Sequence, residues 1–186
     1  NQVAFYVDKT DFIRQWWESG DDITLITRPR RFGKTLNMSM LECFFSNRYA
    51  GRGDLFEGLS VWEDEAYRQI QGTYPVIFLS FADVKQNDLQ GALWKIKKII
   101  FNIYQQYAWL GSWEGLMAVE REQFVGITPD MEDTAAQSAI QDLCSYLSRY
   151  YKKKVIVILD EYDTPLTSCL NNPQLFDEVR KKLWRL

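Results

Sequence analysis

The 186 residues contain no histidine. That absence excludes a Ser-His-Asp or Cys-His nucleophilic mechanism and any His-containing zinc site within them, and leaves acid–base and ligand chemistry to carboxylates, lysine and arginine. Cysteine is scarce as well. Cys43, Cys144 and Cys169 form an odd set without CxxC spacing, the usage expected of a reduced cytosolic protein. No apolar run approaches the roughly 18 residues that cross a bilayer, and no signal-peptide pattern opens the chain. The sequence therefore predicts a soluble, cytoplasmic protein with no membrane partner. An excess of positive charge is also missing: the formal net charge is −3, which argues against holding nucleic acid by bulk electrostatics. Neither a repeat of about 20 to 50 residues nor a low-complexity tract is present.

Apolar material is ample. Hydrophobic residues make up 46% of the chain and aromatics 15%, enough for the core of one α/β domain spanning residues 1–186. The chain begins with Asn1 rather than Met, and Leu186 interrupts a charged, helix-like segment. The expectation is an excerpt of a longer protein.

Thr27-Arg28-Pro29-Arg30-Arg31-Phe32-Gly33-Lys34-Thr35 lies between a short apolar run, Ile23 to Ile26, and a helix-like stretch, Leu36 to Phe45. A strand turning sharply into a helix offers unpaired N–H groups and a positive helix end, so an anion, phosphate first, is the natural occupant. Gly33 lets backbone approach oxygen closely, Lys34 can reach β and γ phosphates, and the Thr35 hydroxyl can ligate Mg²⁺. The general P-loop pattern has another glycine where this chain has Arg28. Arg28, Arg30 and Arg31 supply cations that either contact phosphate or point outward to solvent or a neighbouring domain. Pro29 stiffens the turn.

Val155-Ile156-Val157-Ile158-Leu159 is an unbroken apolar run, as in a parallel strand buried on both faces. It ends in Asp160 and Glu161, at the strand's carboxyl end, where open α/β sheets bind ligands. Asp160 there can hold Mg²⁺ and Glu161 can orient or deprotonate water. Asp163 is either a further magnesium-shell group or, preferably, a helix cap.

The remaining pattern is read in order. Phe12, Ile13, Trp16 and Trp17 mark an amphipathic helix, with Asp8 or Thr10 as cap and Gly20-Asp21-Asp22 as its end. Phe5 or Tyr6 ahead of it either stacks on a base or packs on the sheet. Met38, Met40, Leu41, Phe44 and Phe45 are core. Residues 47–74 read as a loop-rich excursion with short helices, and Val76 to Phe81 as an interior strand. Leu89, Leu93, Ile96, Ile100, Ile103 and Tyr107 give a long amphipathic helix whose Lys95, Lys97 and Lys98 face water. Residues 109–130 read as an insertion or helix connection. Ala136, Ile140, Leu143, Leu147 and Tyr150 form the crossover helix into the Asp160 strand, which right-handed crossover sets parallel to the first strand. Asp177 to Arg185 reads as helix. No (D/E)-x-K follows Pro129-Asp130, so a nuclease core is absent from these residues.

Together, Tyr6-Val7-Asp8-Lys9-Thr10, the Thr27–Thr35 stretch and Leu159-Asp160-Glu161-Tyr162-Asp163-Thr164-Pro165-Leu166 resemble the bacterial AAA-ATPase-like family, over nearly the whole chain. The arginine-rich P-loop without its first glycine is that family's own form. The resemblance implies an α/β fold, a P-loop NTPase with three αβα layers and a mostly parallel central sheet, truncated at the C-terminus before its sensor strand. It implies Lys34 and Thr35 as Walker A residues and Asp160 and Glu161 as Walker B residues. The expected nucleotide-binding set is Arg30, Arg31, Phe32, Gly33, Lys34, Thr35 and Leu36, with Thr35 and Asp160 for the metal and Lys34 and Glu161 for catalysis. ATP and Mg²⁺ are the expected cofactors. Adenine is favoured over guanine because no guanine-reading segment follows the P-loop. Homo-oligomerisation and a PD-(D/E)XK nuclease-type domain later in the same chain are the further partners the family suggests, with nucleic acid reached only through that later region. The expected activity is ATP hydrolysis that regulates such an effector. The alternatives are a switch that binds ATP with little turnover, and a small-molecule kinase.

Overall fold

The spacing of Ile13, Trp16 and Trp17 closes into helix α1 (Asp11–Ser19) in the computed structural model, which describes residues 7–20, 33–86, 88–167 and positions 172, 174, 177 and 180. The chain divides into two units, Asn1–Val76 and Ile77–Leu186. The expected strand Ile23–Ile26, the turn residues 27–32, Asp21, Asp22, Phe5, Tyr6 and Cys169 lie outside the described residues.

In the first unit, Ile13 is fully buried and Trp17 stacks on Phe45 at 5.1 Å between ring centroids. Thr10 occupies the cap position of α1 but makes no capping bond, contrary to expectation. Its hydroxyl donates instead to Asp8, and Asp8 accepts the N–H of Thr10 rather than an amide of the helix.

Helix α2 (Lys34–Phe45) buries Met38, Met40, Leu41, Phe44 and Phe45, the expected core set. Its last carbonyls need partners from outside the helix. Phe44 accepts from the Gly72 amide at 2.8 Å and Phe45 from the Tyr74 amide at 2.9 Å, and Ser46 forms an isolated parallel bridge with Tyr74. Between these anchors run short 3-10 turns at Asn47–Tyr49, Gly53–Leu55 and Ser60–Glu63, then α3 (Glu65–Ile70). This is the loop-rich excursion that the composition predicts.

The second unit is built on β1 (Val76–Ser80) and β2 (Ile156–Asp160), which pair as a two-stranded parallel sheet. Parallel neighbours need a crossover. Here it comprises α4 (Leu89–Gln106), a 3-10 turn at Ala108–Ser112, α5 (Ala118–Val125) and α6 (Asp133–Tyr151). Helices α4 and α6 are joined by Lys97 to Asp133 at 2.9 Å and by the Tyr104 hydroxyl to the Ala139 carbonyl at 2.7 Å. These contacts advance together along both helices, so the two run in the same direction. Ile96, Ile100, Ile103, Leu143 and Leu147 share one buried cluster with Ile77 and Leu79 of β1.

Two expectations are corrected. Lys97 is an ion-pair partner with a largely covered side chain rather than a solvated cation, because α6 begins beside it. Tyr150 lies in α6 as its spacing predicts and is 43% exposed, packed on the Trp109 ring at 4.4 Å. Strand β2 is not buried on both faces: Ile158 and Asp160 are buried, but Val157 and Leu159 are 40% and 44% exposed. Alternate side chains of a strand point to opposite faces, so Val157 and Leu159 share the less covered face of β2 and Ile158 and Asp160 the buried one. Of the expected terminal helix, positions 177 and 180 are described and helical, joined by an Arg180–Asp177 ion pair.

Candidate functional site

The expected site residues that the structure describes fall into two groups, one in each unit. In the first unit Gly33 has φ 76° and ψ 22° and stands at the head of α2. This left-handed conformation costs a residue with a Cβ about 1 kcal/mol, and here it immediately precedes the first residue of α2, Lys34. The first intrahelical bond joins the Asn37 amide to the Gly33 carbonyl at 3.0 Å. The amides of Lys34, Thr35 and Leu36 precede it and make no backbone hydrogen bond among the described residues. They form the donor-rich, positive end of a helix.

Lys34 is half-buried, whereas Thr35 and Leu36 are exposed. Leu36 is 57% exposed, so its amide, rather than its side chain, is what it brings to the turn. Among the described residues no carboxylate forms an ion pair with Lys34. Arg30, Arg31 and Phe32, the other expected nucleotide-binding residues, lie outside the described residues. Asn37 is a residue that sequence reasoning missed: it is 1% exposed, and its Nδ2 is buried without an acceptor. The available signal was an amide set among the apolar residues of α2.

In the second unit the carboxyl ends of β1 and β2 lie side by side, with the Phe81 amide donating to the Asp160 carbonyl at 3.0 Å. Asp160 is 2% exposed, and its Oδ1 is buried with no hydrogen-bond partner. A buried carboxylate oxygen without a donor is costly unless a cation or water meets it. Glu161 follows at φ 53°, a left-handed conformation that is uncommon for a residue with a side chain. The bend turns its carboxylate back onto α7 (Thr164–Thr167). The Thr164 hydroxyl donates to Glu161 Oε2 at 3.0 Å and the Thr164 amide to the Glu161 carbonyl at 2.9 Å. Asp163 is exposed and makes no capping bond to α7 among the described residues. Glu161 holds that turn instead, accepting from both the hydroxyl and the amide of Thr164.

Asp160 fits a magnesium ion in chemistry as well as burial, since a hard cation takes a carboxylate oxygen. Among the described residues no group of three or more Cys, Asp or Glu is arranged to hold a metal unaided. A cavity of about 230 Å³ elsewhere in the second unit is lined by Phe101, Tyr104, Phe124, Ile127 and neighbours. It has no charged wall and does not suit a polyphosphate.

A family model described as predicted AAA-ATPase matches residues 1–185. The chain belongs to the predicted AAA-ATPase family. A relative from Azotobacter chroococcum mcd 1, described as an uncharacterized protein in the vnfD 5' region, is 29% identical over 182 residues, which is 98% of this chain. The chain spans about 30% of that relative's length. No solved structure matches it. Membership of the predicted AAA-ATPase family supports nucleotide binding in general terms, and no described helix is long and apolar enough to cross a membrane.

Proposed function

We propose that this chain is the ATP-binding part of a Mg²⁺-dependent ATPase with a three-layer P-loop fold, and that Gly33 to Leu36 and Asp160-Glu161 serve one nucleotide. The observation that carries the reading is the Asp160 carboxylate, buried at a parallel strand's carboxyl end with Oδ1 unsatisfied, next to a Glu161 turned off the strand. The amides of Lys34, Thr35 and Leu36 bind phosphate oxygens, and the Lys34 ammonium neutralises the β and γ groups. Arg30, Arg31 and Phe32 belong to the same proposed nucleotide-binding set. The Thr35 hydroxyl and the Asp160 carboxylate hold the metal. When bound, Mg²⁺ offsets the charge that develops on the transferred phosphoryl group. Glu161 orients the attacking water through the carboxylate oxygen that Thr164 leaves free.

In the whole protein, cytoplasmic by this reading, hydrolysis would act on a downstream nuclease-type effector, and homo-oligomerisation would bring subunits together. The direct test is phosphate release by the full-length protein. Glu161→Gln should abolish release while ATP stays bound, and release at the parental rate rejects the assigned role. Transfer of labelled phosphate to an acceptor, in place of inorganic phosphate, would instead identify a kinase.

A further inference from the structure

Neither Walker segment accounts for Asp8-Lys9-Thr10, yet these residues are firmly anchored in the first unit. Asp8 Oδ1 accepts from the Thr10 amide at 2.8 Å and the Thr10 hydroxyl at 2.7 Å, while Oδ2 accepts from the Ser60 amide at 2.8 Å. Thr10 is fully buried, and its hydroxyl also accepts from the Val61 amide at 3.2 Å. The Lys9 carbonyl takes the Phe12 amide at 3.0 Å, so the backbone on either side of Lys9 is fixed while its side chain extends away.

That side chain reaches the head of α2. Its Nζ lies 4.0 Å from the point a Cβ on Gly33 would occupy, the nearest group among the described residues outside the immediate chain neighbours. Among the described residues neither Lys9 nor Lys34 forms an ion pair, and both oxygens of the adjacent Asp8 are already engaged. The Lys9 ammonium thus joins Lys34 near the head of α2, whose first amides make no backbone hydrogen bond among the described residues, and a helix end adds positive potential there. One turn into α2, the buried Asn37 Nδ2 is a further donor without an acceptor; helix geometry tilts its Cα–Cβ bond back toward that turn. Such a surplus of donors and positive charge calls for a multiply charged anion.

We infer that Lys9 is a second phosphate-binding lysine, supplied from outside the Walker A turn and placed by the Asp8–Thr10–Ser60 hydrogen bonds to grip the polyphosphate of a nucleotide beside Lys34. The inference rests on the nucleotide reading above, which brings a nucleoside triphosphate to this turn. A charge-assisted contact of this kind corresponds to about tenfold in affinity.

The test is equilibrium binding of a fluorescent ATP analogue with Mg²⁺ to the full-length protein and to its Lys9→Met, Lys9→Arg and Lys9→Glu variants, together with unfolding midpoints without nucleotide. The expected result is about tenfold weaker binding for Lys9→Met, a larger loss for Lys9→Glu, near-parental binding for Lys9→Arg, and unchanged midpoints. Parental affinity in Lys9→Met overturns the inference and leaves the nucleotide reading standing. A loss that Lys9→Arg does not restore, accompanied by a lowered midpoint, also overturns it, because Lys9 would then act only on the fold. If the parental protein fails to bind the analogue, the nucleotide reading falls first.

Discussion

Glu161 is where backbone and side chain meet most directly. Its φ of 53° costs about 1 kcal/mol for a residue with a Cβ, and the two bonds to Thr164 offset that cost while fixing one carboxylate oxygen. Thr164 is 6% exposed, so water does not readily substitute for its hydroxyl. In this account Thr164 is a positioning residue acting through Glu161. Thr164→Val should lower the turnover number for phosphate release about tenfold with the KM for ATP changed less than about twofold, and Thr164→Ser should restore it. An equal loss in both variants would assign Thr164 to packing alone. Nothing in Leu159-Asp160-Glu161 announced the bend, because a left-handed glutamate is stabilised by a partner three residues later rather than by its own preference. The Asp-Glu pair itself was legible from the apolar run it terminates.

At the scale of elements, α2, α4 and α6 follow from spacing alone, since their buried residues repeat at helical intervals and a helix needs only its own hydrogen bonds. What spacing leaves out are partners distant in sequence. Lys97 reads as a wet-face lysine until Asp133 arrives with the next long helix, and Val157 reads as buried until the neighbours of β2 are counted. The segment ahead of α1 is a similar case, as Asp8 is held by Ser60 from beyond α2.

Burial raises the Asp8 pKa, but hydrogen bonds from Thr10 and Ser60 outweigh it and hold the carboxyl below its ordinary 3.8. The unfolded chain therefore takes up this proton first on acidification. The stabilising contribution is complete above pH 3.8 and is lost as pH falls through the lower folded value. Urea unfolding from pH 7 to 3 should show Asp8→Asn less stable than the parent at neutral pH, with the gap narrowing below about pH 4. A gap constant with pH would mean that the ionised carboxylate contributes nothing.

For the whole molecule, the residues of the proposed nucleotide site are drawn from both units. The first unit holds a helix head whose first amides make no backbone hydrogen bond, and two lysines that form no ion pair, among the described residues. The second holds a buried carboxylate short of one partner and a glutamate bent beside it. Sequence could name both groups because each is a run of adjacent residues, and the family itself, matched over residues 1–185, was legible in the same motifs. It named Lys9 only as part of a motif and missed Asn37, because the place of each beside the head of α2 depends on the folded chain.

The central claim is that Thr35 and Asp160 hold one metal ion on one nucleotide, and a double-mutant cycle measures this directly. Mg²⁺-dependent affinity for a fluorescent ATP analogue is determined for the full-length protein, Thr35→Ala, Asp160→Asn and the double variant. Each single change should weaken binding about tenfold, and the double change little further, because both remove the same ion. Losses that multiply to about a hundredfold, or parental affinity in either single variant, would show that the two residues do not share a site.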